Sequence, residues 1–202
     1  LISLSSSHVL LGLTLGMPLV FVLDRFGAVA AGQYGLAITT LTLPTTVLGN
    51  ALGQVFYQKA SAIFAKQQPF LGLWKSNFKL LLVIGAPCFL FTGLFAPMIY
   101  PWVFGENWGL AGSSASLYSI AAFLSFLSRP IDRSSLVVNA WWYIPIWHSA
   151  RALSVLVVIG VALAVDSTFL GFLAMLTLQA SILYLVDLGA SYSFSKKTQG
   201  YS

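Results

Sequence analysis

Acidic side chains are nearly missing from this chain. Asp24, Glu106, Asp132, Asp166 and Asp187 are the only carboxylates among 202 residues. Four of them fall at or near the ends of apolar stretches or in a loop, so no acidic cluster can hold a metal or share acid–base work. Cysteine occurs once, at Cys88 among apolar neighbours, which excludes an internal disulfide and any C-x-x-C site. Neither H-E-x-x-H nor G-x-S-x-G occurs, so neither an enzyme nor a resident metal or cofactor is expected. No linker rich in proline, glycine or serine divides the chain, and the whole of 1–202 reads as one domain. Charge of either sign is scarce too: 7% of residues, against roughly 25% in soluble domains.

What fills the sequence is apolar. Hydrophobic residues make up 58% and the mean hydropathy is +0.87, more oil than a soluble fold can hide. A helix needs about 20 apolar residues to cross the hydrocarbon core. Six stretches qualify, at about 2–23, 34–58, 80–100, 109–128, 142–165 and 168–192. The expected fold is therefore all-α, a six-transmembrane-helix bundle. Barrel strands would show alternating segments of about ten residues, which are absent.

The basic residues alternate with these spans. Lys59, Lys66, Lys75 and Lys79 follow the second, Arg129 and Arg133 the fourth, and Lys196 and Lys197 the sixth. The other junctions hold Asp24, Arg25, Glu106 and Asp166. The positive-inside rule then places both ends of the segment in the cytoplasm. The net charge of +5 belongs to flanks facing anionic lipid, so membrane lipids are expected partners and nucleic acid is not. Trp74, Trp102, Trp108, Trp141, Trp142 and Trp147 lie near span ends, as an interfacial belt requires. Leading into the interval 59–79, Phe56, Tyr57, Ala60, Ile63 and Phe64 recur at helical spacing, which predicts that span two continues as a surface helix or a plain overhang.

Ala28-Val29-Ala30 has the small residues of a signal cleavage site, but no basic segment precedes the first stretch. The chain reads as a piece of a longer protein, entered at the start of a span. Gly12 with Gly16 and Gly49 with Gly53 form G-x-x-x-G pairs that let helices approach closely.

Ionisable and amide groups inside spans are costly, and mark candidate functional positions. Arg151 in span five and Asp187 in span six lie at depths that differ by roughly 6 Å at the helical rise, so they form a possible pair or snorkel separately. Span two carries Thr39, Thr40, Thr42, Thr45, Thr46, Asn50 and Gln54 beside Pro44, whose missing N–H favours a kink. Asn50, Gln54 and, in span six, Gln179 either line a wet cavity or bond neighbouring helices. Ser3, Ser5, Ser6, Ser7 and His8 open span one, and His148 lies near a boundary.

Two segments carry a resemblance. Phe26-Gly27, Gly32-Gln33-Tyr34-Gly35-Leu36-Ala37, Leu43-Pro44 and Gly49-Asn50-Ala51-Leu52-Gly53-Gln54-Val55-Phe56 form the first, and Phe104-Gly105-Glu106-Asn107-Trp108-Gly109-Leu110-Ala111-Gly112 the second. They resemble the O-antigen-type oligosaccharide flippases of the multidrug and oligosaccharidyl-lipid exporter superfamily. The resemblance implies the C-terminal lobe of a two-lobe transporter in the bacterial inner membrane. It implies alternating access and carriage of an undecaprenyl-diphosphate-linked oligosaccharide, with the missing N-terminal lobe as partner. Asn50, Gln54, Arg151, Gln179 and Arg25 would then contact substrate, while Asp187 and Pro44 would gate or couple. A cation-coupled multidrug exporter and a non-transporting subunit of polysaccharide assembly are the alternatives.

The topology is testable. With Cys88 replaced, single cysteines at Gln67 and at Glu106 should react with a membrane-impermeant maleimide from opposite sides of the membrane. Labelling of both from one side would exclude the six-span arrangement.

Overall fold

A computed structural model describes residues 2–198, and side chains from 16 to 198. The five serine and histidine positions from Ser3 to His8, and Gly12 of the first glycine pair, therefore lie outside the described side chains. Among the described residues every regular element is helical: α1 (Ile2–Phe64), α2 (Leu71–Phe104), α3 (Gly109–Ser128), α4 (Ser134–Val137), α5 (Tyr143–Ala164) and α6 (Phe169–Ser195). A chain in lipid must satisfy its backbone hydrogen bonds internally, and helices do so residue by residue. Five of these helices are long and apolar enough to cross a membrane.

The first of the five is two arms. At Gly27 the backbone leaves helical geometry, with φ 86° and ψ 173°, a region open essentially to glycine alone. Val22 before the break and Ala30, Ala31 and Tyr34 after it share one apolar cluster, so the arms fold onto each other. Apart from the short α4, the described residues thus present six long helical segments, and the second begins just past Gly27 rather than near 34. Pro44 does not break the helix: Gly27 is its sole non-helical position. Thr40, Thr42 and Thr45 turn their hydroxyls back to carbonyls on their own helix, Leu36 and Ala37, Ile38, and Leu41 respectively, which is how such residues satisfy themselves in apolar surroundings.

The overhang of α1 does not lie on a lipid surface. Phe56, Ala60 and Phe64 are buried against Phe70 and Trp74 at the start of α2 and against Phe126, Leu127, Ile131 and Leu188. The Trp74 indole donates to Ser191 Oγ at 2.8 Å, so this tryptophan anchors α2 to α6. Trp102, Trp141 and Trp142 remain exposed.

Helix α3 is the hub, packing on α2, α6 and α1. Its buried residues are mostly small: Ala111, Gly112, Ser114, Ala115, Ser119, Ala121, Ala122 and Ser125. Small residues let backbones close in and gain the dispersion contacts that stand in for hydrophobic drive in lipid. A Cβ on Gly112 would lie 2.6 Å from Ala96 O and 2.9 Å from Pro97 Cα. Gly112→Ala should therefore destabilise the bundle by about 1–3 kcal/mol, the usual cost of overpacking, whereas Gly160→Ala, with nothing within 4 Å, should not. Thermal unfolding in detergent reads the difference, and equal melting temperatures for the two variants would refute the tight α2–α3 contact.

Candidate functional site

At the end of the bundle that carries the lysines, α3 stops at Ser128 and the chain turns through Arg129, Pro130, Ile131, Asp132 and Arg133 into α4. Two glycines of α1 seat this turn. Cβ atoms on Gly49 and Gly53 would lie 3.1 Å from Arg129 Cβ and 3.2 Å from Arg133 Nε. The second G-x-x-x-G pair thus receives a loop, not another helix. It aims both arginines toward α5 and α6.

The result is a cavity of about 430 Å³, within the usual range for ligand sites. Its walls are Ser128, Arg129, Asp132, Arg133, Ser135 and Leu136 from the turn and α4, Tyr143, Ile144, Trp147, His148 and Arg151 from α5, and Tyr184 and Asp187 from α6. A smaller cavity of about 70 Å³ continues from it, sharing Arg129, Arg151 and Tyr184. The inner walls include Tyr34, Thr42, Thr45, Tyr118, Ser125 and Gln179. Hydroxyl and amide groups therefore lie behind a cationic chamber.

Opposite charges in the chamber are held apart. Arg151 Nη2 donates to Tyr184 OH at 2.8 Å, and its guanidinium lies 5.1 Å from the centre of that ring. Asp187, 3% exposed, accepts from Ser128 Oγ and from Tyr143 OH, the latter at 2.8 Å. The pair that the depths of Arg151 and Asp187 allowed is replaced by these hydroxyl contacts. Tyr184 and Asp187 are three residues apart on α6 and so share a face. Tyr143 also stacks on Trp147, with ring centres 6.1 Å apart and planes 12° from parallel.

Asp132 is the odd residue in this junction, an acid between two arginines. Its surface is exposed and opens into the cavity. Desolvation by the protein around the carboxyl, with the Asp187 charge adding to it, pushes the Asp132 carboxyl up to about 7, and Arg133 and Arg129 only partly oppose the rise.

Of the residues singled out from sequence, Arg151 and Gln179 line these cavities, and Gln179 Nε2 donates to Ser154 Oγ at 2.6 Å. Asn50 and Gln54 are exposed and line neither cavity. Pro44 borders an apolar groove of about 200 Å³ between α1 and α2, with Cys88 opposite. Arg25 is at the far end of the bundle, paired with Asp166. Arg129, Arg133 and Asp132 were read only as flanking charge or passed over. The signal that could have found them was the acid inside a basic junction, matched by a glycine pair at the same depth on the neighbouring span.

The far end joins the two sequence segments that carried the resemblance. Gln33, 6% exposed, donates through Nε2 to Asn107 O and accepts from Ala111 N at 2.7 Å. Phe26-Gly27 and Phe104-Gly105 both end in a glycine at positive φ, 86° and 105°. The two motifs are one physical corner. A family model described as polysaccharide biosynthesis protein matches residues 6–111, just over half the chain. The chain belongs to this family. Its members give the class that the two segments implied, and the helices make this one a multi-pass membrane protein. No curated protein and no solved structure matches the chain.

If the hydroxyl lock is what holds Asp187, Tyr143→Phe should cost about 1–3 kcal/mol of stability, the usual range for a buried acceptor losing a partner. Melting curves in detergent check this, and an unchanged Tm would show that Asp187 is held without Tyr143.

Proposed function

We propose that this chain is one lobe of a flippase that carries undecaprenyl-diphosphate-linked oligosaccharide across the bacterial inner membrane by alternating access. On this reading both ends of the segment are cytoplasmic, the other lobe of the same protein completes the path, and no covalent chemistry occurs. The observation that carries it is the convergence of Arg129, Arg133 and Arg151 on one cavity at the basic end. A diphosphate ester is recognised by guanidinium groups, which present several N–H donors to its oxygens. The hydroxyl and amide groups farther in suit a sugar, and polysaccharide biosynthesis is the family's work.

The charge balance weighs against a multidrug exporter. Three guanidinium groups face two carboxylates in the chamber, an excess that repels organic cations. Asp187, the acid on which cation coupling would depend, is already enclosed by Ser128 and Tyr143.

The test uses the full-length protein in proteoliposomes loaded with a fluorescent prenyl-diphosphate-linked glycan, its transfer between leaflets followed by membrane-impermeant quenching. Arg151→Ala and Arg129→Ala should each slow transfer about tenfold or more, since a charged hydrogen bond is worth about 1.5–3 kcal/mol. Arg25→Ala, at the opposite end, should have a smaller effect. Transfer at the wild-type rate in both cavity variants would overturn the assignment.

A further inference from the structure

We infer that the cavity at the basic end binds the dianionic headgroup together with one proton, which Asp132 takes up. This rests on the headgroup reading above and specifies how the site is regulated. The argument begins with charge. Arg129, Arg133 and Arg151 contribute three positive charges to the chamber, and Asp132 and Asp187 remove two. One net positive charge is left to meet a diphosphate diester, which carries two negative charges. Protonating a single carboxylate makes the match.

Geometry selects which carboxylate. Asp187 is closed off, 3% exposed and bonded to Ser128 and Tyr143. Asp132 instead presents an exposed surface to the cavity, on the same turn as Arg129 and Arg133. An anion bridging those two arginines must approach the Asp132 carboxylate, and like charges at contact distance raise each other's cost of ionisation. The groups facing Asp132 are Arg129 and Arg133 on its own turn, Tyr143, His148 and Arg151 from α5, and Tyr184 and Asp187 from α6.

The sign follows from linkage. The free carboxyl already sits at about 7, and a bound anion moves it higher, so binding takes up protons and weakens as pH rises. In the other direction, a neutral cytoplasm leaves the empty site part-protonated, ready for an anion. A site that has lost its ligand to a basic medium would close its charge balance on Arg133 or Arg129.

The experiment measures binding to the purified full-length protein in detergent. The probe is farnesyl-diphospho-N-acetylglucosamine, and soluble UDP-N-acetylglucosamine serves as a diphosphate diester without a lipid tail. Affinity for the wild type should fall about tenfold between about pH 6 and pH 8. In weakly buffered solution near pH 7, addition of probe should draw about half a proton per site. Asp132→Asn should flatten the pH profile at the wild type's low-pH affinity, and His148→Gln should leave the slope in place. A slope in both probe arms assigns the proton to the diphosphate itself; a slope confined to the prenyl probe assigns it to the lipid-linked headgroup, and either result supports the inference. Binding without a pH slope or proton uptake would overturn the inference and leave the headgroup reading intact. A slope that persists in Asp132→Asn, or vanishes in His148→Gln, would also overturn it. Failure of both probes to bind at any pH would remove the headgroup reading itself.

Discussion

An arginine inside a bilayer needs water, a counter-charge or an anion beside it. On insertion scales an unmet charge at mid-membrane costs about 2.5–3.5 kcal/mol, and the cost falls toward the span ends, where Arg129 and Arg133 lie in the turn after α3. Three arginines meet at one end of this bundle, and only two carboxylates are there to answer them. Even if both carboxylates paired, close packing would leave one arginine without a counter-charge. The chain instead leaves a chamber of about 430 Å³, so that solvent or ligand completes the solvation. The cavity lets these charges be solvated, and the rest of the fold is arranged to tolerate it.

That tolerance begins with α3. Its small residues draw α2 close along one side, where a Cβ added to Gly112, Gly93 or Gly85 would come under 3.0 Å from Ala96, Ser119 or Phe126 respectively. Ser116 donates to Gly93 O across the same seam. The seam is rigid, and it fixes where α3 ends. Because α3 ends at Ser128, the turn that follows must cross the foot of α1, and Gly49 and Gly53 are the positions without side chains to obstruct it. Larger residues there would push Arg129 and Arg133 away from α5 and α6. A glycine pair in an apolar sequence thus positions charged groups through the space it leaves.

The helices were legible because length and apolarity are one-dimensional properties. Gly27 and Gly105 were legible as parts of two motifs, though not as the positive-φ corners they form. The bend at Gly27 shows why boundaries were less clear: Asp24 and Arg25 mark the junction, but the break takes a single residue and the next helix resumes at once. The cavity was the least legible part. Arg129 and Arg133 have the same one-dimensional appearance as Lys75 and Lys79, charges flanking a span. What separates them is a turn that folds back beneath the bundle, a property of three-dimensional connection. The polar stripe of α1 divides into several roles, with Thr42 and Thr45 also on the wall of the inner cavity. Thr40, Thr42 and Thr45 answer their own backbone, while Asn50 and Gln54 face outward.

A last feature explains how such a chamber stays open to an anion. Arginines and carboxylates confined together would ordinarily pair and cancel, and a pre-formed pair must be broken before a ligand can bind. Here Arg151 rests on the neutral hydroxyl of Tyr184, and Asp187 on the hydroxyls of Ser128 and Tyr143. A charge-assisted hydrogen bond to a neutral hydroxyl is exchanged at lower cost than an ion pair in the same surroundings. On the proposed reading, a phosphate oxygen would replace the Tyr184 hydroxyl on Arg151 without first dissolving a salt bridge. Tyr184 and Asp187 share one face of α6, so a small rotation of that helix would disturb both contacts together. On the proposed reading, a ligand that takes Arg151 from Tyr184 therefore acts on the same face of α6 that holds Asp187 against Ser128 and Tyr143.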